Sequence, residues 1–386
     1  MSSSMRSVYV AGIGQTDIGE LWGRSLRDLA VEAARKALSE AGQSRTDCLV
    51  VGNMLSGELA AQENLAALVA DSAGLLPVEA VKVEAACGSG GAAFREGYLR
   101  VASGAAETAL VVAVEKMSDM LPDAVSAALA LAADGDYENL HGVTFVALNA
   151  LIMRRYMHEY GYKNEDFAGF AINAHRNALS NPHAMFRREV KAADYARACM
   201  VASPINLLDS SAISDGAGGV LLSAEPPAGA RRIRVAGSAG ATDTIAVASR
   251  KDPLWLAAAE SSAQQAFAQA GVKPADIDLF EAHDAFSIMA ALSLEACGFA
   301  ERGRGVRLAM EGEISPGRRV PIATRGGLKA RGHPVGATGV LQVVDAVVQL
   351  RGAAGGSQVP DARLAMTQNI GGSGANIYTH IIAAEG

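Results

Sequence analysis

The chain has 386 residues, of which 50% are hydrophobic and 19% charged, with a formal net charge of -7. This length allows two or three domains with full cores, and the acidic balance excludes a general electrostatic footprint for nucleic acid. The four cysteines lack CxxC spacing, so neither a zinc site nor a disulfide framework is indicated. Residues 1–7 lack the apolar stretch of a secretory signal, and no apolar run approaches the ~20 residues of a membrane span. We therefore expect a soluble protein of the reducing cytoplasm.

A repeated pattern of predicted elements indicates the architecture. Residues 37–52 predict a helix, a glycine cap and a buried strand, and residues 266–281 repeat this pattern. Gly42 and Gly271 each fit the left-handed position that ends a helix. The strands that we expect to correspond in the two copies are 7–12 with 232–237, and 219–224 with 377–383.

The repeat predicts two copies of one α/β unit, residues 1–228 and 229–386. The first copy is longer, and its surplus lies at residues 118–208, which are mostly helical in pattern and have no counterpart in the second copy. An insertion of this kind commonly becomes a lid or a binding loop.

Cys87 lies in the run EAACGSGGAA, where a strand is expected to turn into a helix. A cysteine at a helix N-terminus sees partial positive charge, which lowers the thiol pKa and raises the reactive thiolate fraction. The small neighbours are expected to leave room for a substrate beside the sulfur. The alternative is a packed core thiol.

Three segments of the second half resemble reactive turns. His333 lies in RGGLKARGHPVGATG just before an apolar helix, and the alternative is an incidental histidine near a helix cap. His283 follows a buried strand, at the edge where ligands bind in α/β sheets, although a structural histidine is equally compatible. Residues 368–375 form a glycine-rich turn whose N–H groups are suited to hold an oxyanion, unless the segment is a plain turn.

Cys87 and His333 are each expected to open a helix after the middle strand of their unit. A pseudo-twofold relation between the units would bring these two helix starts together, which a Cys–His nucleophilic site needs. His141 is a further candidate to reach this site from the insertion, against an ordinary loop histidine.

At these segments the chain resembles the thiolase superfamily, close to the sterol-carrier-protein-type and archaeal-type thiolases, over nearly its whole length. The cysteine segment, the His-Asp-x-Phe segment, GGLKARGHPVGATG and the terminal glycine turn occur in the family's order and spacing. The resemblance implies a five-layered αβαβα fold of two similar halves, dimerising through the first half into a homodimer or a tetramer. It also implies acyl transfer between coenzyme A (CoA) thioesters, with no permanently bound cofactor.

The resemblance also implies roles for individual residues. Cys87 would take the acyl group and His333 would activate its thiol. His283 and His333 would bind the thioester oxygen in one oxyanion hole. The N–H groups of Cys87 and Gly371 would form the other.

One position departs from the family pattern. Thiolases normally have a second cysteine that exchanges a proton with the acetyl group, and its two possible positions hold Asn369 and Ala285 here. Asn369 and Ser373 are therefore further candidates for the site. Phe286 and Gly327 are candidates for binding CoA.

The leading hypothesis is an acyltransferase that forms an acyl-enzyme on Cys87 and passes the acyl group to CoA or to a carbon nucleophile. Two alternatives remain open. One is a thiolase-fold aldol lyase acting on CoA-linked side chains, and the other is a non-catalytic scaffold for a small zinc-ribbon/OB-fold partner.

Overall fold

The computed structural model describes residues 5–227 and 231–385. The expected boundary between residues 228 and 229 lies outside the described residues. Before it come β1 (Tyr9–Gln15), α1 (Leu26–Glu40), β2 (Cys48–Gly52), α2 (Ser56–Ala60), α3 (Leu65–Ala73), β3 (Glu79–Val83), α4 (Ser89–Ser103), β4 (Thr108–Glu115), α5 (Pro122–Ala130), α6 (Phe145–Tyr160), α7 (Ala168–Ala178), α8 (Ala192–Ala196), β5 (Met200–Ala202), β6 (Ile205–Asn206) and β7 (Gly216–Ser223). After it come β8 (Arg232–Thr242), α9 (Ala257–Ala270), β9 (Leu279–Glu281), α10 (Ser287–Ala296), α11 (Gly305–Met310), α12 (Thr338–Leu350), β10 (Leu364–Gly371) and β11 (Asn376–Glu385).

One nine-stranded sheet runs through both parts of the chain, in the order β3-β2-β4-β7-β1-β8-β11-β10-β9. Its two halves meet where β1 pairs antiparallel with β8, at Tyr9 and Arg234. Outward from this junction the order β1-β7-β4-β2 is repeated as β8-β11-β10-β9. The expected strand correspondences are thus those of β1 with β8 and of β7 with β11.

The layers alternate between helices and strands. Helices α1 and α3 contact one face of the first half-sheet, and α9 contacts β8 and β11 in the second. Helices α4 and α12 lie between the half-sheets, since α4 contacts β2, β4, β8 and β11 while α12 contacts β7 and β10. Because α12 is enclosed from both sides, it is buried nearly all round, and its buried polar residues Gln342, Asp345 and Gln349 find partners inside the protein. The five-layered αβαβα fold of two similar halves is confirmed.

Glycines allow α4 and α12 to approach closely at their first turns. A Cβ on Gly339 would lie 2.1 Å from the amide nitrogen of Gly91, and a Cβ on Gly90 would lie 2.9 Å from the carbonyl oxygen of Gly336. No real side chain tolerates such contacts with backbone. The small residues after Cys87 therefore serve helix packing, and the expectation that they leave room for a substrate is wrong.

The insertion packs against both halves of the chain, with α5 against α2 of the first half and the longer helices against the second. Helices α6 and α7 contact α10, and α7 also contacts α11. Buried Tyr156, Phe167 and Phe170 belong to the same apolar cluster as Phe280 of β9. These two helices are thus a packed part of the fold. Within the described ranges, no helix combines the length and apolarity needed to cross a membrane.

We predict that Gly339→Ala destabilises the protein, although alanine is the better helix former. The added methyl group would meet the Gly91 amide and the Asn369 side chain at 2.1 and 2.3 Å, so α4 and α12 must separate. Overpacking of this kind costs about 3 kcal/mol. Urea unfolding should show this loss, whereas Gly23→Ala, with no atom within 4 Å of the new methyl group, should leave the midpoint nearly unchanged. Equal midpoints for the two variants would contradict the packing argument.

Candidate active site

A cavity of about 210 Å³ brings together Cys87, His283 and His333. Its remaining walls are mostly apolar and come from both halves and from the insertion. They are Met117, Ser126, Leu129, Phe145, Val146, Asn149, Ser210, Ser211, Ala212, Ile213, Ala285, Phe286, Met289, Val335, Ile370 and Gly372.

Cys87 is the cysteine that lines this cavity. Cys48 is buried in β2, and Cys199 is exposed at the surface. Cys297 is buried next to Gln368, whose Nε2 lies 3.1 Å from the sulfur. No cysteine other than Cys87 therefore has access to a substrate in the cavity.

A tight turn holds Cys87 two residues ahead of α4. Ala86 has a φ of +52°, in the left-handed region that costs a non-glycine residue about 1–2 kcal/mol. The Gly88 amide donates to the Ala85 carbonyl at 2.9 Å. The Ser89 hydroxyl donates to the Ala86 carbonyl at 2.6 Å and accepts from the Ala85 amide at 3.0 Å. These bonds keep the strained turn, and with it the sulfur, in one place.

The environment of Cys87 differs from the expected one. The side chain is buried, and burial together with the nearby negative charge of Glu115 raises the thiol pKa to about 12. The prediction that the helix N-terminus lowers this pKa is wrong, because desolvation of the thiolate outweighs the helix dipole. The resting residue is a neutral thiol that needs a base.

Glu115, at the end of β4, connects the two halves of the site. Its carboxylate accepts hydrogen bonds at 3.0 Å from the amides of Met54, Leu55 and Gly336, and at 2.8 Å from the Asn53 side chain. Gly336 belongs to the turn that carries His333. Burial raises the pKa of Glu115 to about 7, although the three amide donors oppose this shift.

His283 lies two residues beyond β9 and is buried. Its Nδ1 is 3.3 Å from Nδ2 of Asn369. Burial, with a smaller contribution from the Arg331 guanidinium, lowers the pKa of His283 to about 3. The ring is therefore neutral at physiological pH.

His333 faces His283 across the site, with ring centroids 5.1 Å apart and the ring planes nearly perpendicular. Its amide donates to the Ser214 hydroxyl at 2.8 Å, and its Nδ1 lies 2.7 Å from the Thr338 hydroxyl. Burial, the neighbouring His283 and the Arg331 guanidinium all lower the pKa of His333. Both imidazoles are thus available as neutral groups.

The expectation that both helix starts follow a middle strand is wrong. Cys87 follows β3, which lies at the edge of the sheet. Before His333 there is no strand in the corresponding place, only the single bridge of Ile322 to Phe280. The two helix starts nevertheless meet, because α4 and α12 lie side by side in the helical layer between the half-sheets. That contact does not require each helix to follow a middle strand.

Of two further predicted residues, Phe286 and Gly371, the structure places one in the cavity wall and the other next to it. Phe286 lines the cavity. Gly371 does not, but its amide nitrogen would lie 3.1 Å from a Cβ on Gly88, and its neighbours Ile370 and Gly372 are in the wall.

Besides Gly371, four predicted site residues lie outside the cavity wall. Asn369 is buried behind it, against His283 and Gly91. Ser373 is buried, and its carbonyl accepts from Arg250 at 2.9 Å. The remaining two, Gly327 and His141, need correction. Gly327 is buried against the carboxylate of Asp284, and His141 is exposed at the end of a short turn in the insertion, so neither contacts the cavity.

Most apolar wall residues were not predicted from the sequence. Phe145, Val146 and Asn149 fall on one face of α6, and their spacing is a usable signal for a helix facing a cavity. Met117 comes two residues after β4, at the sheet edge where ligands bind. Across residues 5–227 and 231–385, no group of three or more His, Cys, Asp and Glu side chains is arranged to hold a metal ion.

Residues 8–226 match the thiolase N-terminal domain family, and residues 239–384 match the thiolase C-terminal domain-like family. The chain belongs to the thiolase family, as the motifs predict.

Similar proteins include the acetyl-CoA acetyltransferases of Methanothermobacter thermautotrophicus and Methanocaldococcus jannaschii. The first is 43% identical over 98% of this chain and 100% of its own length, and the second is 38% identical over 98% and 99%. Human sterol carrier protein 2 is 28% identical over 98% of this chain and 72% of its own length.

Two solved structures share the fold. The Ltp2-ChsH2(DUF35) aldolase has a TM-score of 0.86 and 25% identity, covering 98% of both chains. The acetyl-CoA acetyltransferase of Syntrophomonas wolfei has a TM-score of 0.76 and 18% identity, covering 99% of this chain and 100% of its own.

We predict that Glu115→Gln makes Cys87 more reactive. Removing the carboxylate charge lowers the thiol pKa, so alkylation by iodoacetamide should become severalfold faster at pH 8. The effect should disappear below about pH 7, where Glu115 is already protonated. Peptide mass spectrometry of Cys87 measures the rate.

Glu84→Gln is the matched control for this prediction. Glu84 also raises the Cys87 pKa, but it is exposed, so solvent screens its charge and the change in rate should be smaller. If folded Glu115→Gln shows the same dependence of the Cys87 alkylation rate on pH as the wild-type protein, the charge of Glu115 does not raise the thiol pKa.

Proposed function

We propose that this chain is an acyltransferase that forms an acyl-enzyme on Cys87 from a CoA thioester and transfers the acyl group to CoA or to a carbon nucleophile. The observation that carries this proposal is the meeting of one cysteine and two neutral histidines in one largely apolar cavity. The relatives named acetyl-CoA acetyltransferase, which match over nearly the full length, support the same activity.

His333 is the base that activates Cys87. In this proposal the Thr338 hydroxyl accepts from Nδ1–H of His333 at 2.7 Å and directs its own proton towards the Pro334 carbonyl at 3.4 Å. Nε2 of that ring is then the proton acceptor. The lowered pKa keeps this nitrogen unprotonated until a thiol gives up its proton.

One base serves the whole cycle in this proposal, because Cys87 is the single cysteine among the cavity-lining residues. In cleavage of a 3-ketoacyl-CoA, His333 takes the thiol proton and the Cys87 sulfur adds to the keto carbon. The carbon–carbon bond then breaks, leaving the acyl group on sulfur and an enolate of acetyl-CoA. His333 returns its proton to the enolate carbon, so the protons balance without another acid.

The second half of the cycle uses the same group. His333 removes the proton from the thiol of CoA, and the resulting thiolate attacks the acyl group on Cys87. The thioester bond to Cys87 breaks, and His333 protonates the departing sulfur. The products are an acyl-CoA and the free thiol enzyme.

Two oxyanion sites assist these steps. His283, together with His333 once that ring has taken the thiol proton, stabilises the thioester oxygen, which becomes negative in the enolate. The N–H groups of Cys87 and Gly371 stabilise the oxygen of the acyl group. Phe286 lines the path of the pantetheine arm. The apolar wall strengthens these interactions because it excludes water.

The assembly proposed here is a homodimer or a tetramer in the cytoplasm, joined through the first half. Among the residues that the structure describes, β3 pairs on one side only, with β2, and it is partly buried. A strand edge of this kind pairs readily with another strand. A small zinc-ribbon/OB-fold partner is a further component, supported by the similarity to the Ltp2-ChsH2(DUF35) aldolase.

A second candidate function is aldol cleavage of CoA-linked side chains, favoured by the TM-score of 0.86 to that aldolase. Such a reaction needs no acyl group on sulfur. If Cys87→Ala retains full turnover with a 3-hydroxyacyl-CoA, lyase activity is correct. If Cys87→Ala has no turnover of its own but still stimulates a partner enzyme, the scaffold hypothesis is correct.

We expect Cys87→Ala to lose all turnover.

The proposed function predicts a covalent adduct. Incubation with short and medium acyl-CoA donors should add one acyl group to the intact protein, and peptide mapping should find it on Cys87. Cys87→Ser should abolish the adduct. Cys297→Ser, at a buried cysteine outside the cavity, should retain it. A folded protein that gains no mass with any of these donors would refute the mechanism.

A further inference from the structure

Asn369 is in contact with both halves of the active site although it does not line the cavity. Its Oδ1 lies 2.9 Å from the amide nitrogen of Gly91, in the first turn of the helix that follows Cys87. Its Nδ2 lies 3.3 Å from Nδ1 of His283. The residue is 1% exposed, so no solvent competes for these contacts.

The orientation of this amide follows from the Gly91 contact. A backbone N–H group only donates, so the atom that faces it must be the oxygen of Asn369. The NH₂ group then faces His283, and it also only donates. Nδ1 of His283 must therefore accept, which places the ring proton on Nε2.

We propose that Asn369 is a positioning residue that holds His283 in the tautomer with hydrogen on Nε2, so that His283 serves as a donor and never as the base. This inference rests on the proposed function and deepens it. It gives His283 and His333 opposite roles, the first set by Asn369 and the second by Thr338.

The assignment explains why one base is enough. In the cavity wall, the titratable side chains are Cys87, His283 and His333. Once sulfur carries the acyl group and His283 is held as a donor, His333 alone moves protons. Asn369 thus strengthens oxyanion stabilisation by His283 and takes no part in proton exchange.

The charged surroundings of His283 agree with a neutral donor. Burial and the Arg331 guanidinium both disfavour a second proton on its ring, and the facing His333 imidazole is neutral as well. Arg331 is itself paired with Asp345. A neutral ring has a single proton, so its position matters for catalysis.

The first test is the tautomer of His283 in the wild-type protein. Nuclear magnetic resonance of ring-¹⁵N-labelled histidine distinguishes a bare Nδ1 from a protonated one, and loss of the signal in His283→Gln assigns it. We expect a bare Nδ1 and a protonated Nε2 at pH 7. A protonated Nδ1 would overturn the inference.

The second test is Asn369→Asp, which keeps an oxygen for the Gly91 amide but presents a second oxygen to His283. Nδ1 should become protonated. The neutral ring then lacks hydrogen on Nε2, and cleavage of a 3-ketoacyl-CoA should fall about 10²-fold at high pH, since one oxyanion donor is lost. Activity should recover as the pH is lowered and the imidazolium forms, because that form carries hydrogen on both nitrogens.

A purely structural role for Asn369 would not create this new pH dependence. Asn177→Asp is the matched control, because Asn177 is also buried but donates to the Ala323 carbonyl outside the cavity. It should leave the tautomer and the pH profile unchanged. Wild-type pH dependence in Asn369→Asp would overturn the inference.

The inference and the proposed function fail separately. If the wild-type protein neither gains an acyl group on Cys87 nor cleaves any 3-ketoacyl-CoA, the proposed function fails. The tautomer of His283 would still decide the role of Asn369, because that measurement needs no substrate.

Discussion

The close approach of α4 and α12 at their first turns is the constraint on which the site depends. Gly90, Gly91 and Gly339 allow backbone to pack against backbone between the half-sheets, and no side chain fits there. The sulfur of Cys87 lies just before one of these turns, and His333 precedes the other. A separation of the two helices would therefore part Cys87 from His333 without altering either residue.

Buried polar groups behind the cavity fix the positions of the residues that line it. Glu115 ties the end of β4 to the turn that carries His333, while Asn369 ties the first turn of α4 to His283. Burial keeps Cys87 and both histidines neutral in the resting protein. Charge then appears only when a proton moves, in an apolar surrounding where hydrogen-bond donors act most strongly.

Much of the fold followed from local sequence, because both copies of the unit carry the same order of helix, capping glycine and strand. The meeting of Cys87 with His333 was also predictable, since it needs only a pseudo-twofold relation. The pKa of Cys87 was not, because desolvation depends on the surrounding walls. The position of β3 at the sheet edge could not be predicted from the sequence either, since strand order is set by pairing between distant segments. The amide orientation of Asn369 needed the position of Gly91, 278 residues away.

The most direct measurement is a crystal structure of Cys87→Ala with an uncleaved 3-ketoacyl-CoA bound. We expect the thioester oxygen to lie about 3 Å from Nε2 of His283, with the keto carbon above the missing sulfur. A substrate whose thioester oxygen contacts neither histidine, directly or through one water, would contradict it.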